Sequence, residues 1–201
     1  EKKLWNYERI AGGLTLLLWG IFQKMVIADR IAILANHVFG QYRSYEMFGL
    51  LMGALAYTIQ IYCDFASYST MAFGVAKVID FDVTENFNTP YFARSMQDFW
   101  RRWHISLSSW FRDYLYIPLG GNRCSKLRKY VNLMVTFLAS GLWHGASWNF
   151  VLWGGIHGFY QIAGYELRGV KEKLHTLFHT KKDCMSYRLG LTLVTFGLTA
   201  F

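Results

Sequence analysis

Three ionisable side chains stand where almost nothing around them is charged: Asp64 in IYCDFASYS, His144 in GLWHGASW and His157 in WGGIHGFY. A titratable group inside an apolar run is costly to keep there and marks a functional position by default. His144 is the most informative. A neutral imidazole in a cavity takes a proton from an alcohol, and the flanking Gly141 and Gly145 let the backbone break or pack closely. A histidine hydrogen-bonding between helices fits the same residues, and both readings stay open. For His157, between Gly155 and Gly158, helix packing is the leading reading. Asp64 orients a partner, caps a broken helix or accepts a hydrogen bond between helices. His104, in RRWHISLS, bonds a neighbouring backbone or takes part in chemistry. His37, His175 and His179 sit at segment ends or in a basic loop and read as solvated.

Other chemistries find little support. The chain has no GxSxG, HExxH, Walker motif or paired acidic cluster. The glycines of IPLGGNR lack phosphate-loop spacing and read as a turn. Three cysteines, Cys63, Cys124 and Cys184, are scattered and odd in number, which speaks against a disulfide framework or a zinc site. No metal and no bound cofactor is expected.

The elements that hold these residues follow from where charge is missing. In 201 residues, 53% are hydrophobic, 18% aromatic and 17% charged, against roughly 25% charged in an average soluble domain. Val131 to Tyr165 contains no Asp, Glu, Lys or Arg. As one helix it would reach about 52 Å, while a bilayer core is about 30 Å. Two segments broken at Gly141–Gly145 fit better. Between Met47 and Ile79 the only charges are Asp64 and Lys77, and Ile10 to Tyr42 is interrupted only by Lys24, Asp29 and Arg30. The run from Leu189 to Phe201 is short for a span, which suggests a helix cut before its end.

The segments between these runs are basic. Residues 80–130 carry eight Lys and Arg against five acids, and 166–188 carry six against three. Two crossings between them return both loops to one side, which the excess of positive charge assigns to the cytoplasm. Single crossings over 10–36 and 47–79 put residues 36–46 outside and Lys2, Lys3 and Arg9 inside. The net charge of +8 then reports topology beside anionic lipid, and nucleic acid is not an expected partner. The expectation is an all-α, polytopic protein of the cell membrane.

Residues 95–116 predict one amphipathic helix. Met96, Trp100, Trp103, Leu107, Trp110 and Tyr114 recur at helical spacing, widened by Phe99, Phe111 and Leu115. Asp98, Arg101, Arg102, Ser108, Ser109 and Arg112 occupy the other face. Such a helix lies in the membrane interface. Ser95 is its expected N-cap, and Pro118 with Gly120 and Gly121 ends the element.

Three stretches carry a resemblance: AYTIQIYCDFASYSTMAFG (56–74), ENFNTPYFARSMQDFWRRWHISLSSWFRDYLYIPLGGNR (85–123) and GLWHGASWNFVLWGGIHG (141–158). In order and length they resemble the membrane-bound O-acyltransferase family, within it the alginate O-acetyltransferase branch. The likeness covers about residues 10–165. It implies a helical bundle with a central funnel, and a single membrane-embedded region over 1–201 that forms the middle portion of a longer protein. It implies a catalytic role for His144, with Trp143 beside it in the WHG motif as a substrate contact, and a second functional position at His104 near the cytoplasmic face. It also implies acyl transfer, usually of acetyl, from a cytoplasmic thioester donor (acetyl-CoA or an acyl carrier protein). The acceptor is a hydroxyl of a cell-surface or exported polysaccharide, often reached through a periplasmic or extracellular partner acyltransferase. Arg101, Arg102 and Arg112 then contact the donor's phosphates or face lipid, and Asp64 joins the substrate-binding set. Relatives usually read DFSGYSDMA where this chain reads DFASYSTMA (64–72), so Thr70 replaces an acid. Two rivals remain: a transporter or channel with His144 and Asp64 lining the path, and a non-catalytic membrane anchor for a partner enzyme.

Overall fold

Asn6 caps the start of the first helix, its side chain accepting a hydrogen bond from the Arg9 N–H at 2.9 Å and satisfying one of the donors left open at a helix start. This is the first cap in a computed structural model that describes residues 5–177 and 184–200. Every regular element among the described residues is helical. The chain forms two compact units, residues 1–87 and 88–199. His179, Lys2 and Lys3 lie outside the described residues.

In the first unit, α1 (Tyr7–Phe22) passes through a widened π-turn (Gln23–Ala28) into α2 (Asp29–Gly40), and α3 (Met47–Val78) packs back on both. Tyr7–Gly40 and Met47–Val78 are long and apolar enough to cross a membrane. Only 11% and 22% of their most apolar stretches are buried, unlike the core helix of a soluble domain. Leu18, Met25, Ile33, Leu51 and Val75 stand exposed around them, an apolar outside that suits lipid. The two runs touch backbone to backbone at Gly13 and Gly74. A Cβ on Gly13 would come within 2.7 Å of the Gly74 carbonyl oxygen, and one on Gly74 within 2.6 Å of that of Gly13. Asp64 is not an open carboxylate. Lys24 at the π-turn reaches its Oδ1 at 2.5 Å and that of Asp29 at 2.8 Å, so Asp64 is an acceptor between helices.

The second unit begins with α4 (Met96–Arg102). Ser95 caps it as expected, its Oγ accepting the Asp98 N–H at 3.1 Å. The single helix expected over 95–116 is broken. Trp103 is extended, His104 adopts left-handed angles (φ 44°, ψ 56°), α5 (Ile105–Phe111) restarts, and a π-turn follows over Arg112–Tyr116. The apolar stripe breaks with it. Met96, Phe99 and Phe111 are buried, whereas Trp110 and Tyr114 remain exposed. Tertiary bonds override the helical pattern here. The Asn88 N–H takes the Arg102 carbonyl at 3.0 Å, and Trp103 stacks on Phe99 with ring centres 5.5 Å apart.

Gly120 (φ 112°) and Gly121 (φ 52°) close the turn after α5, using angles that side chains disfavour. Then α6 (Lys126–His144) and α7 (Trp148–Leu177) form a hairpin, and α8 (Met185–Ala200) follows. The break between α6 and α7 falls at Gly145, the second of the expected glycines, while Gly141 lies inside α6. These helices are not among the described ones long and apolar enough to cross. Buried Gln161 of α7 donates to the Met96 carbonyl at 3.0 Å, and buried Asn132 of α6 to that of Leu119 at 3.0 Å.

The α6–α7 hairpin depends on two small residues. A Cβ on Gly141 would collide with the Phe150 carbonyl, and one on Gly154 with that of Phe137. Gly141→Ala is expected to cost about 1–3 kcal/mol through overpacking, seen as a lowered melting temperature of the full-length protein in detergent. Gly190→Ala, where nothing lies within 4 Å, is the matched control and should melt like the wild type.

Candidate active site

The last turn of α6 delivers Trp143 and His144 side by side, because Gly145 ends the helix there with an extended backbone. The kink between α4 and α5 delivers His104. Trp143 bridges the two histidines: its ring centre is 6.1 Å from His104 and 5.0 Å from His144. His144 is exposed, with Trp153 edge-on at 5.3 Å and Phe150 at 6.5 Å. His104 is 9% exposed. Its burial first, and the neighbouring His144 second, hold its imidazole well below the ordinary value, at about 4. It is therefore neutral at pH 7. The left-handed backbone at a non-glycine residue is a strained conformation of the kind that persists where surrounding structure fixes it.

The aromatic wall continues beyond the expected residues. His157 is 4% exposed, 4.7 Å from Trp153 and 5.2 Å from Trp100 between ring centres. Its packing role follows the leading reading. Trp153 itself escapes notice in the sequence, although its i, i+4 spacing to His157 is a visible signal.

The three arginines separate. Arg101 and Arg112 line a cavity of about 400 Å³ together with Trp100, Ile105, Ser108 and Gln161. Arg102 does not line it. Its Nε donates to Asp98 at 2.8 Å and its Nη1 to Thr89 at 3.3 Å, which ties α4 to the preceding loop. Arg112 is already engaged by the Asp113 carboxylate at 2.7 and 3.1 Å, which holds Asp113 below the usual carboxylate range. Arg101 has no ion-pair partner among the described residues. His104 and His144 are outside the cavity's lining, and Asp64 belongs to the first unit.

Residues 4–197 match the family model described as MBOAT, membrane-bound O-acyltransferase family. The chain belongs to the membrane-bound O-acyltransferase family. Among the relatives that this family member resembles is a probable alginate O-acetylase of Azotobacter vinelandii, 51% identical over 152 residues, 75% of this chain and 30% of the relative. A peptidoglycan O-acetyltransferase of Helicobacter pylori is 47% identical over 153 residues, 76% of this chain and 29% of the relative. A teichoic acid D-alanyltransferase of Bacillus subtilis is 29% identical over 168 residues, 78% of this chain and 42% of the relative. The chain thus spans 29–42% of the length of those relatives. All three names are those of acyl or aminoacyl transferases.

Proposed function

We propose that the protein is a polytopic membrane O-acyltransferase that moves an acyl group, acetyl in the first instance, from a cytoplasmic thioester to polysaccharide hydroxyls at the cell surface. The observation that carries this reading is the junction of two sequence motifs at one place. RRWHISLS supplies His104 and GLWHGASW supplies Trp143 and His144, in ring contact. His144 is the exposed member and acts as general base. It takes the acceptor hydroxyl's proton as the oxygen attacks the thioester carbonyl, and returns it to the departing thiolate, so no proton is lost or gained. His104, buried and neutral, and Trp143 flank that base.

The donor is an acyl thioester, acetyl-CoA or an acyl carrier protein, presented from the cytoplasmic side, the side assigned to the basic segments 80–130 and 166–188. Arg101 and, less freely, Arg112 meet its phosphates in the 400 Å³ cavity, while Arg102 is structural. The acyl group passes to a periplasmic or extracellular partner acyltransferase or directly to the polymer. In this reading the chain is a membrane-embedded region of a polytopic, all-α protein, with Tyr7–Gly40 and Met47–Val78 as its clearest spans. The names of the relatives, which cover alginate, peptidoglycan and teichoic acid modification, support a cell-envelope polymer as acceptor. The Lys24–Asp64 ion pair weighs against the transporter or channel reading, because it closes off the acid that would carry a proton.

Thioester consumption by the purified full-length protein tests this proposal. Arg101→Ala should raise the donor KM about tenfold with kcat little changed, the loss of one charge-assisted contact. Arg102→Ala should instead lower the melting temperature by releasing the bonds to Asp98 and Thr89. No thioester turnover by the wild type, with transport of a solute in its place, would favour the rival.

A further inference from the structure

The loop that closes the first unit folds back onto α3. Phe87 stands edge-on to Tyr62 and Phe65, ring centres 5.6 and 5.0 Å away, and Asn86 Nδ2 donates to Ser69 Oγ at 3.3 Å. A cleft of about 310 Å³ remains, whose walls include Trp19 and Gln23 from α1 and its π-turn, Thr70 and Phe73 from α3, and Glu85 and Phe87 from the loop. No Lys, Arg or His lines it. Glu85 makes no ion pair among the described residues. Thr70 donates its hydroxyl proton to the Ala66 carbonyl at 2.8 Å, so its oxygen offers lone pairs only. Close by in sequence, Lys24 is shared by Asp29 and Asp64, which leaves that trio with a net charge of −1. The acyl-transfer reading uses none of the cleft's residues.

We propose that this cleft binds an organic ammonium group. Aromatic faces attract a cation held close to them. Glu85 is exposed at the cleft, so its carboxylate adds an attractive charge at the rim while the aromatic walls supply the rest. A primary ammonium brings three N–H donors and no acceptor, matching Glu85 and Thr70, whereas Glu85 repels an anionic ligand. Two sources carry this chemistry: the ethanolamine headgroup of a zwitterionic phospholipid and a soluble amine.

The test uses the full-length protein in nanodiscs of equal phosphatidylethanolamine and phosphatidylglycerol, with retained lipid counted by native mass spectrometry. In parallel, melting is followed with added ethanolamine or tetramethylammonium. Wild type should retain phosphatidylethanolamine over phosphatidylglycerol by about tenfold, the worth of one charge contact with cation–π support. Glu85→Gln and Trp19→Leu should lose that preference while melting like the wild type without ligand. Thioester turnover, measured on the same samples, should be unchanged by Glu85→Gln. A melting shift with the soluble amines, lost in Glu85→Gln and without lipid preference, assigns the cleft to a soluble ligand. Equal behaviour of wild type and Glu85→Gln towards both lipid and amines overturns the proposal.

Discussion

His144→Ala is expected to lower acyl transfer to polysaccharide by about 10²–10⁴-fold, the contribution of a positioned general base, with protein abundance and melting temperature near those of the wild type. The imidazole is exposed at the end of α6 and meets its neighbours by ring contacts at 5.0–6.5 Å, so truncation removes chemistry and little packing. The measurement is acetyl content of the cell-surface polymer in cells carrying the full-length variant, beside thioester consumption by the purified protein. Unchanged acetylation at normal protein levels would sink the assignment of His144. His104→Ala is a different experiment. His104 is buried at the kink between α4 and α5, so its loss should reduce activity and melting temperature together.

The second large effect belongs to the first unit. Lys24→Met leaves Asp64 without the cation 2.5 Å away, inside a helix pair that reads as membrane-spanning. A charge left uncompensated in such a place costs about 2–3 kcal/mol. The expected result is a marked fall in melting temperature or in the yield of folded protein. Asp64→Leu alone should fall too, since it leaves Lys24 held only by Asp29. The double variant Lys24→Met with Asp64→Leu should recover a large part of the loss, because removing both charges also removes their desolvation. Additive losses in the double variant would mean that the pair does not act as a unit.

Some of this architecture is legible in the residues. The break between α6 and α7 is announced by Gly141 and Gly145 within a run too long for one span, and the Ser95 cap by its spacing to Asp98. The kink at His104 is not. RRWHISLS contains neither glycine nor proline, and its helical period continues straight through. What bends it lies outside that stretch: the Asn88 N–H donating to the Arg102 carbonyl, and the Tyr91 ring 6.0 Å from that of Trp103. The role of Lys24 is hidden for the same reason. In the sequence it interrupts an apolar run; its partner is 40 residues away.

The sequence by itself determined the all-helical class, the pair of long apolar helices and the motifs that show the family, because these rest on local periodicity, missing charge and residue identity. Tertiary structure decided which of those residues meet. Ring contact joins His104 to Trp143 and His144, Arg101 parts from Arg102, and Asp64 is neutralised by Lys24. Each outcome depends on side chains brought together by packing between distant segments, and no local pattern encodes a distance across a fold.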